Sequence, residues 1–110
     1  RDVDPRGLAL LDANGDKAGT IRDLWIDRGE MTFRYLEAEV TGGRRVLVPM
    51  PFASVAKGGV TVDALYAEQF AGVPPTRATD RVTLLEEERI TAYYGAGTLY
   101  AEPSRAEPLV

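Results

Sequence analysis

The stretch "DLWIDRGEMTFRYLEAEV", residues 23–40, sets acids among apolar and aromatic side chains where a half-buried strand would keep the two apart. "DRG" at 27–29 breaks the run, so the stretch reads as the two arms of a hairpin. Its second arm changes phase: Met31, Phe33 and Tyr35 are apolar at odd positions, and Leu36, Ala38 and Val40 continue the set at even ones. A one-residue change of phase inside a strand marks a bulge or sharp coil that carries the strand from one core face to another. The expectation is a small coiled barrel rather than a flat sheet.

The flanking sequence agrees. Asn14–Gly15 in "DANGD" (12–16) is a strong short hairpin signal between the run Leu8–Leu11 and the β-branched run from Thr20. "TGG" at 41–43 precedes Arg45–Val48, and "KGG" at 57–59 separates Phe52–Val55 from Val60–Leu65. Five to six short strands bounded by glycine predict a mainly β, antiparallel barrel. "YAEQFAGVPP" (66–75) reads as a short helical turn ended by Gly72. Thr83 and Glu86 have the capping-box spacing, which predicts an α-helix over about 84–94 closed by Gly95.

A chain of 110 residues, 45% hydrophobic and 27% charged, has the length for one domain. A net charge of −4 argues against nucleic acid as partner, because phosphate affinity needs clustered Lys and Arg. With neither cysteine nor histidine, thiol chemistry is excluded and only carboxylates remain as metal ligands. No apolar run approaches the ~20 residues of a membrane-spanning helix. The chain opens at Arg1 without a signal-like segment and is read as a piece of a longer parent.

Candidate chemistry is sparse. "DANGDKAGTIRD" (12–23) has some calcium-loop spacing, but Lys17 stands where the loop needs glycine and strands flank it, so a solvated hairpin is expected. Gly95–Ala96–Gly97 follows a helix instead of opening one and reads as a helix cap, not a phosphate cradle. No nucleophile and base pair can be assembled. There remain Asp23, Asp27, Glu30, Glu37 and Glu39, with Arg34 among them. They are either a wet sheet face paired with basic residues, or carboxylates close enough to share protons.

Four ordered strings, "DLWIDRGEMTFRYLEAEV", "RRVLVPM", "YAEQFAGVP" and "VTLLEEERITAYYGAGTLYA", closely resemble the cytoplasmic domain of the H subunit of the purple-bacterial photosynthetic reaction centre, the type member of the PRC-barrel family. The resemblance runs from about Gly7 to Ala101. It implies a PRC-barrel with its C-terminal helix over 1–102, a mobile tail over 103–110, and a parent whose N-terminal membrane anchor is absent here. It implies a non-catalytic subunit domain that caps the L and M subunits on the cytoplasmic face of the bacterial inner membrane. The fragment itself would be soluble. Its role would include part of the proton route to the secondary quinone. On that resemblance Asp27, Glu30 and Arg34 correspond to the ionisable cluster near the route, and Glu87 to the helical acid that joins it. Asp23, Glu37 and Glu39 revert to surface charges.

The resemblance further implies that this chain binds no cofactor, whereas the parent complex carries bacteriochlorophyll, bacteriopheophytin, quinone and non-haem iron. The histidine-bearing proton-entry surface of the family has no counterpart, so complete proton uptake is not assigned to these residues. Without L and M, self-association is expected through an apolar patch around Trp25, Phe70, Leu99 and Tyr100. The alternative is a stand-alone PRC-barrel adaptor like the one in the ribosome maturation factor.

Overall fold

The computed structural model describes residues 3–100. The tail at 103–110 lies outside them. Six strands form one sheet: β1 (Ala9–Leu11), β2 (Lys17–Asp27), β3 (Thr32–Val40), β4 (Arg45–Pro49), β5 (Ser54–Ala56) and β6 (Gly59–Thr61), in the order β4-β3-β2-β1-β6-β5. The hairpins lie where the glycine-rich turns predict them. Phe52, however, belongs to a 3-10 turn, Met50–Phe52, rather than to a strand.

One pairing departs from the antiparallel expectation. β1 and β6 run parallel, with Leu10 opposite Val60 and Leu11 opposite Thr61, making the sheet mixed. A parallel pair needs a long crossover, and everything from the first hairpin to β5 supplies it.

Chain connectivity forces the curl. The edge strands β4 and β5 are separated in sequence only by Met50–Ala53. A flat six-stranded sheet would hold its edges ~24 Å apart at ~4.8 Å per strand spacing, and the five steps from Pro49 to Ser54 reach at most ~19 Å. The sheet must therefore bend its edges toward each other. Three register shifts along β2 allow this, at Leu10/Leu11 against β1 and at Ile21/Asp23 and Trp25/Ile26 against β3.

Leu10, Ile21, Leu36, Val48, Val60 and Val62 fill the interior. α1 (Leu84–Tyr100) closes over it with Ile90 and Tyr94 fully buried one turn apart. The Tyr94 hydroxyl donates to the Leu47 carbonyl at 2.8 Å and its ring stacks on Phe52. The capping box forms: Glu86 N–H donates to Thr83 Oγ1 at 3.1 Å, and Thr83 N–H to Glu86 Oε1 at 2.9 Å. The helix does not stop at Gly95. Gly97 lies inside it because its missing side chain lets the helix press on Ala64 and Leu65, where a Cβ would overlap both.

A 3-10 helix, Ala67–Gly72, carries Phe70 into the core, fully buried. The expected apolar surface patch therefore loses Phe70. Trp25 is only partly exposed, and the side chains of Leu99 and Tyr100 lie outside the described ones. Arg44 in the β3–β4 turn donates to the carbonyls of Ala71 and Val73, the latter at 2.6 Å, satisfying the end of that helix.

Asp12 explains the calcium-like spacing of the first hairpin. Its buried carboxylate accepts N–H bonds from Asn14 at 2.9 Å, Asp16 at 2.8 Å and Ala67 at 2.8 Å. Those oxygens tie the turn to the 3-10 helix. Among the described residues no group of three or more His, Cys, Asp or Glu is arranged to hold a metal ion.

Candidate functional site

The β2–β3 hairpin and the first turn of α1 bring together three of the four residues singled out above. Asp27 ends β2, and its Oδ1 accepts the N–H groups of Gly29 at 2.9 Å and Glu30 at 3.2 Å, which fixes the turn. Asp27 Oδ2 is left to accept from Arg34 Nη1 at 3.2 Å. Arg34 Nη2 reaches Glu87 across the gap between sheet and helix.

Arg34 occupies a revealing position in the ladder. Trp25 pairs with Tyr35 and Ile26 with Phe33, so Arg34 is the extra residue of a β-bulge. A bulge re-aims the side chain of its extra residue. That is how one guanidinium serves an acid on its own hairpin and an acid on the helix. Glu87 holds Arg34 above its ordinary pKa, first through the hydrogen bond and then through charge, with Asp27 a smaller cause.

The side chains of the triad are 30% to 41% exposed. Exposed pairs of this kind add only about 0–1 kcal/mol to stability. The triad is therefore not what holds the helix on the barrel.

Glu30 stands apart. It lies exposed on the turn, and its carboxylate makes no ion pair or hydrogen bond among the described residues. The surface charges sort as expected: Glu39 pairs with Arg22 at 3.0 Å, and Asp23 accepts the N–H of Leu24 at 2.8 Å. Glu37 is more firmly placed, accepting from the Trp25 indole at 2.9 Å and from Arg45 at 3.1 Å.

Trp25 is the wall shared by three clefts of about 350, 700 and 230 Å³. The first contains Asp27, Arg34 and Glu87. The connection 74–82 supplies the outer side of all three, through Asp80 and Arg81 in the first, Thr79 and Asp80 in the second, and Pro74, Pro75 and Thr76 in the third. Glu86 holds that connection closed, accepting from Arg77 N–H at 2.7 Å in addition to Thr83. These backbone bonds hold its carboxyl below the usual range.

Sequence reading missed Tyr35, which it counted only among the apolar residues at odd positions of the strand. The residue is 5% exposed and packs edge-on against Trp25 at 6.4 Å. Burial, then the charge of Glu87 and a side-chain hydrogen bond to it, push its hydroxyl up to about 12. The available signal was the phase change at 35/36, which sends Tyr35 and Leu36 to opposite faces while both are buried.

The hairpin tip around the triad is apolar, with Ile26 and Phe33 each 51% and Met31 76% exposed. Met31 also adopts a positive φ of 54°. An exposed, long side chain in the left-handed region carries two costs that the fold itself does not repay. No helix among the described residues is long and apolar enough to cross a membrane.

Comparison with known proteins agrees with this architecture. The chain is 35% identical over 77 residues to an uncharacterized protein of Deinococcus radiodurans, a match covering 67% of this chain and 28% of that protein. The PRC-barrel domain matches residues 1–69, which hold Asp27 and Arg34 but end before the connection and α1 that bring Glu87. With well over half of its length matched, the chain belongs to the PRC-barrel family.

Proposed function

We propose that this PRC-barrel domain is the cytoplasmic domain of a photosynthetic reaction centre H subunit, a non-catalytic part that caps the L and M subunits and carries protons toward the secondary quinone. The observation that supports it most is the bulge-presented triad Asp27–Arg34–Glu87, set in a cleft and bordered by exposed Ile26, Met31 and Phe33. Apolar side chains around a half-exposed ionic group suit docking against another protein, with the ionic group kept in contact with water. Pigments, quinone and iron belong to the partners in this reading, and no residue of this chain is assigned to hold them.

In such a site Arg34 bridges the two carboxylates, so that a proton passed to one leaves the guanidinium paired with the other. A proton arriving from the 74–82 side meets Glu87 first, on the helix, and Asp27 next, at the hairpin tip. Glu30, exposed beyond Asp27, serves as an outer charge rather than a member of the triad.

The test is made in the intact complex. Asp27→Asn and Glu87→Gln are each expected to slow the proton-coupled second electron transfer to the quinone. Glu30→Gln is expected to change it less, and light-driven charge separation is expected to stay constant in all three. Equal kinetics for wild type and the Asp27→Asn/Glu87→Gln double variant would overturn the proton role. Purification with ribosomal proteins and without pigmented L and M would overturn the placement and favour the adaptor.

A further inference from the structure

The β2–β3 hairpin outruns the rest of the sheet. β1 pairs with β2 only as far as Thr20, and β4 pairs with β3 only from Tyr35 onward, whereas β2 and β3 stay paired out to Asp27 and Thr32. Past Trp25 and Tyr35 the two strands form an arm with no third strand beside it. A two-stranded ribbon is marginal in water unless its apolar face is covered.

On this arm the face lies open. Leu24 stands opposite Leu36, which is fully buried, and the next pair on that face is Ile26 opposite Phe33, both half exposed. The apolar stripe of the barrel interior thus runs out into solvent and ends at Met31. Phe33 also borders a cleft of about 390 Å³ with Met50 and Val55, which extends the surface toward β5. At about 200 Å² for a fully exposed large side chain, the exposed parts of Ile26, Met31, Phe33 and Val55 come to roughly 400 Å². That is the size of a patch that is often functional on a soluble chain. With a polar rim it approaches the ~800 Å² per partner of a standard interface.

The charges at the tip indicate what covers it. Arg28 and Glu30 lie exposed two residues apart on the turn, and neither side chain has an ion pair among the described residues. The nearby charges Asp27, Arg34 and Glu87 are already engaged with one another. A two-fold axis through the tip would set Arg28 of each copy against Glu30 of the other, the self-complementary pattern that an isologous interface requires. A surface of one sign, such as anionic lipid, would attract one of these residues and repel the other. Met31 fits the same pattern. Its positive φ and its exposure are both unfavourable in the lone chain, and a contact made only in the pair offsets them.

We propose that this chain forms a two-fold dimer through the arm, with Ile26, Met31 and Phe33 of each copy packed on those of the other and Arg28 paired across the axis with Glu30. The interface covers the tip that borders the Asp27–Arg34–Glu87 triad, so the dimer and any other protein docked on that tip exclude each other. The dimer is a property of the free chain and does not rest on the proton-route reading.

The experiment is sedimentation of the full chain from nanomolar to high micromolar concentration, the range in which an interface of this size dissociates. Wild type is expected to pass from monomer to dimer. Met31→Asn suits the left-handed turn and loses the apolar contact. It is expected to keep the circular dichroism of the folded chain and to raise the dissociation constant at least about tenfold. Arg28→Glu and Glu30→Arg, each placing like charges across the axis, are expected to weaken the dimer in the same way. Mixing these two variants, or combining both changes in one chain, is expected to bring the dimer back, because opposite charges face each other again. A wild type that stays monomeric throughout overturns the proposal. So does a dimer that Met31→Asn leaves as tight as before, or one that the mixed charge reversals fail to restore. Equal quinone kinetics for wild type and the Asp27→Asn/Glu87→Gln complex reject the proton role and leave the dimer standing.

Discussion

Single atoms decide more than composition does. Asp12 satisfies three backbone N–H groups from inside the protein, and an alanine there leaves all three without an acceptor. Asp12→Ala is expected to destabilise by about 3 kcal/mol in urea unfolding; a loss under about 1 kcal/mol would show that water replaces the carboxylate. Tyr35 makes the opposite kind of prediction. Its folded pKa, about 12, exceeds the ordinary 10.0, so its stabilising effect is complete below pH 10 and is lost as pH rises toward 12. Tyr35→Phe should flatten the stability-against-pH curve over that interval. Tyr94, also raised by burial, leaves a residual slope. Of the candidate site, Asp27, Glu30 and Arg34 were named on resemblance, and their shared hairpin was only compatible with a cluster, since Glu30 lies on it and stands apart. Glu87 was not reachable by spacing, since it comes from a helix 53 residues beyond Arg34, and its place rested on resemblance. The setting of the Tyr35 hydroxyl beside Glu87 was invisible because an aromatic residue at an apolar position gives no sign of where its hydroxyl points.

Among the elements, those set by local chemistry were read correctly. Asn14–Gly15, "TGG" and "KGG" turn the chain because of their own backbone preferences, and the Thr83–Glu86 box starts α1 for the same reason. The C-terminal end of α1 was misread because Gly97 answers to Leu65 and Ala64, which are distant in sequence. Gly97→Val is expected to cost about 3 kcal/mol, from the collision and from β-branching in a helix. Gly95, with nothing near its absent Cβ, is expected to accept alanine with a gain of up to about 1 kcal/mol. Comparing the two melting temperatures checks both; equal effects would show that α1 does not depend on close approach.

For the whole molecule, the boundary of the family match and that of the core do not coincide. The match ends at residue 69, whereas Phe70, Val73, Ile90 and Tyr94 are core. A chain cut after Pro75 would uncover the surfaces of Leu47, Phe52 and Phe70 that Tyr94 covers. It is expected to lose its cooperative thermal transition, and a sharp transition retained by the truncated chain would contradict that. The parallel contact between β1 and β6 could not be foreseen, because it depends on how the sheet closes and not on any signal within either strand.

Trp25 has one more consequence. It is the chain's single tryptophan, it borders all three clefts, and its indole N–H is tied to Glu37. The protein therefore carries its own fluorophore at the place where the 74–82 connection meets the triad. Emission wavelength and quenching by a small neutral solute would follow opening of that connection directly, without an added label, in the free chain and in any assembly it joins whose other members are not excited at the same wavelength.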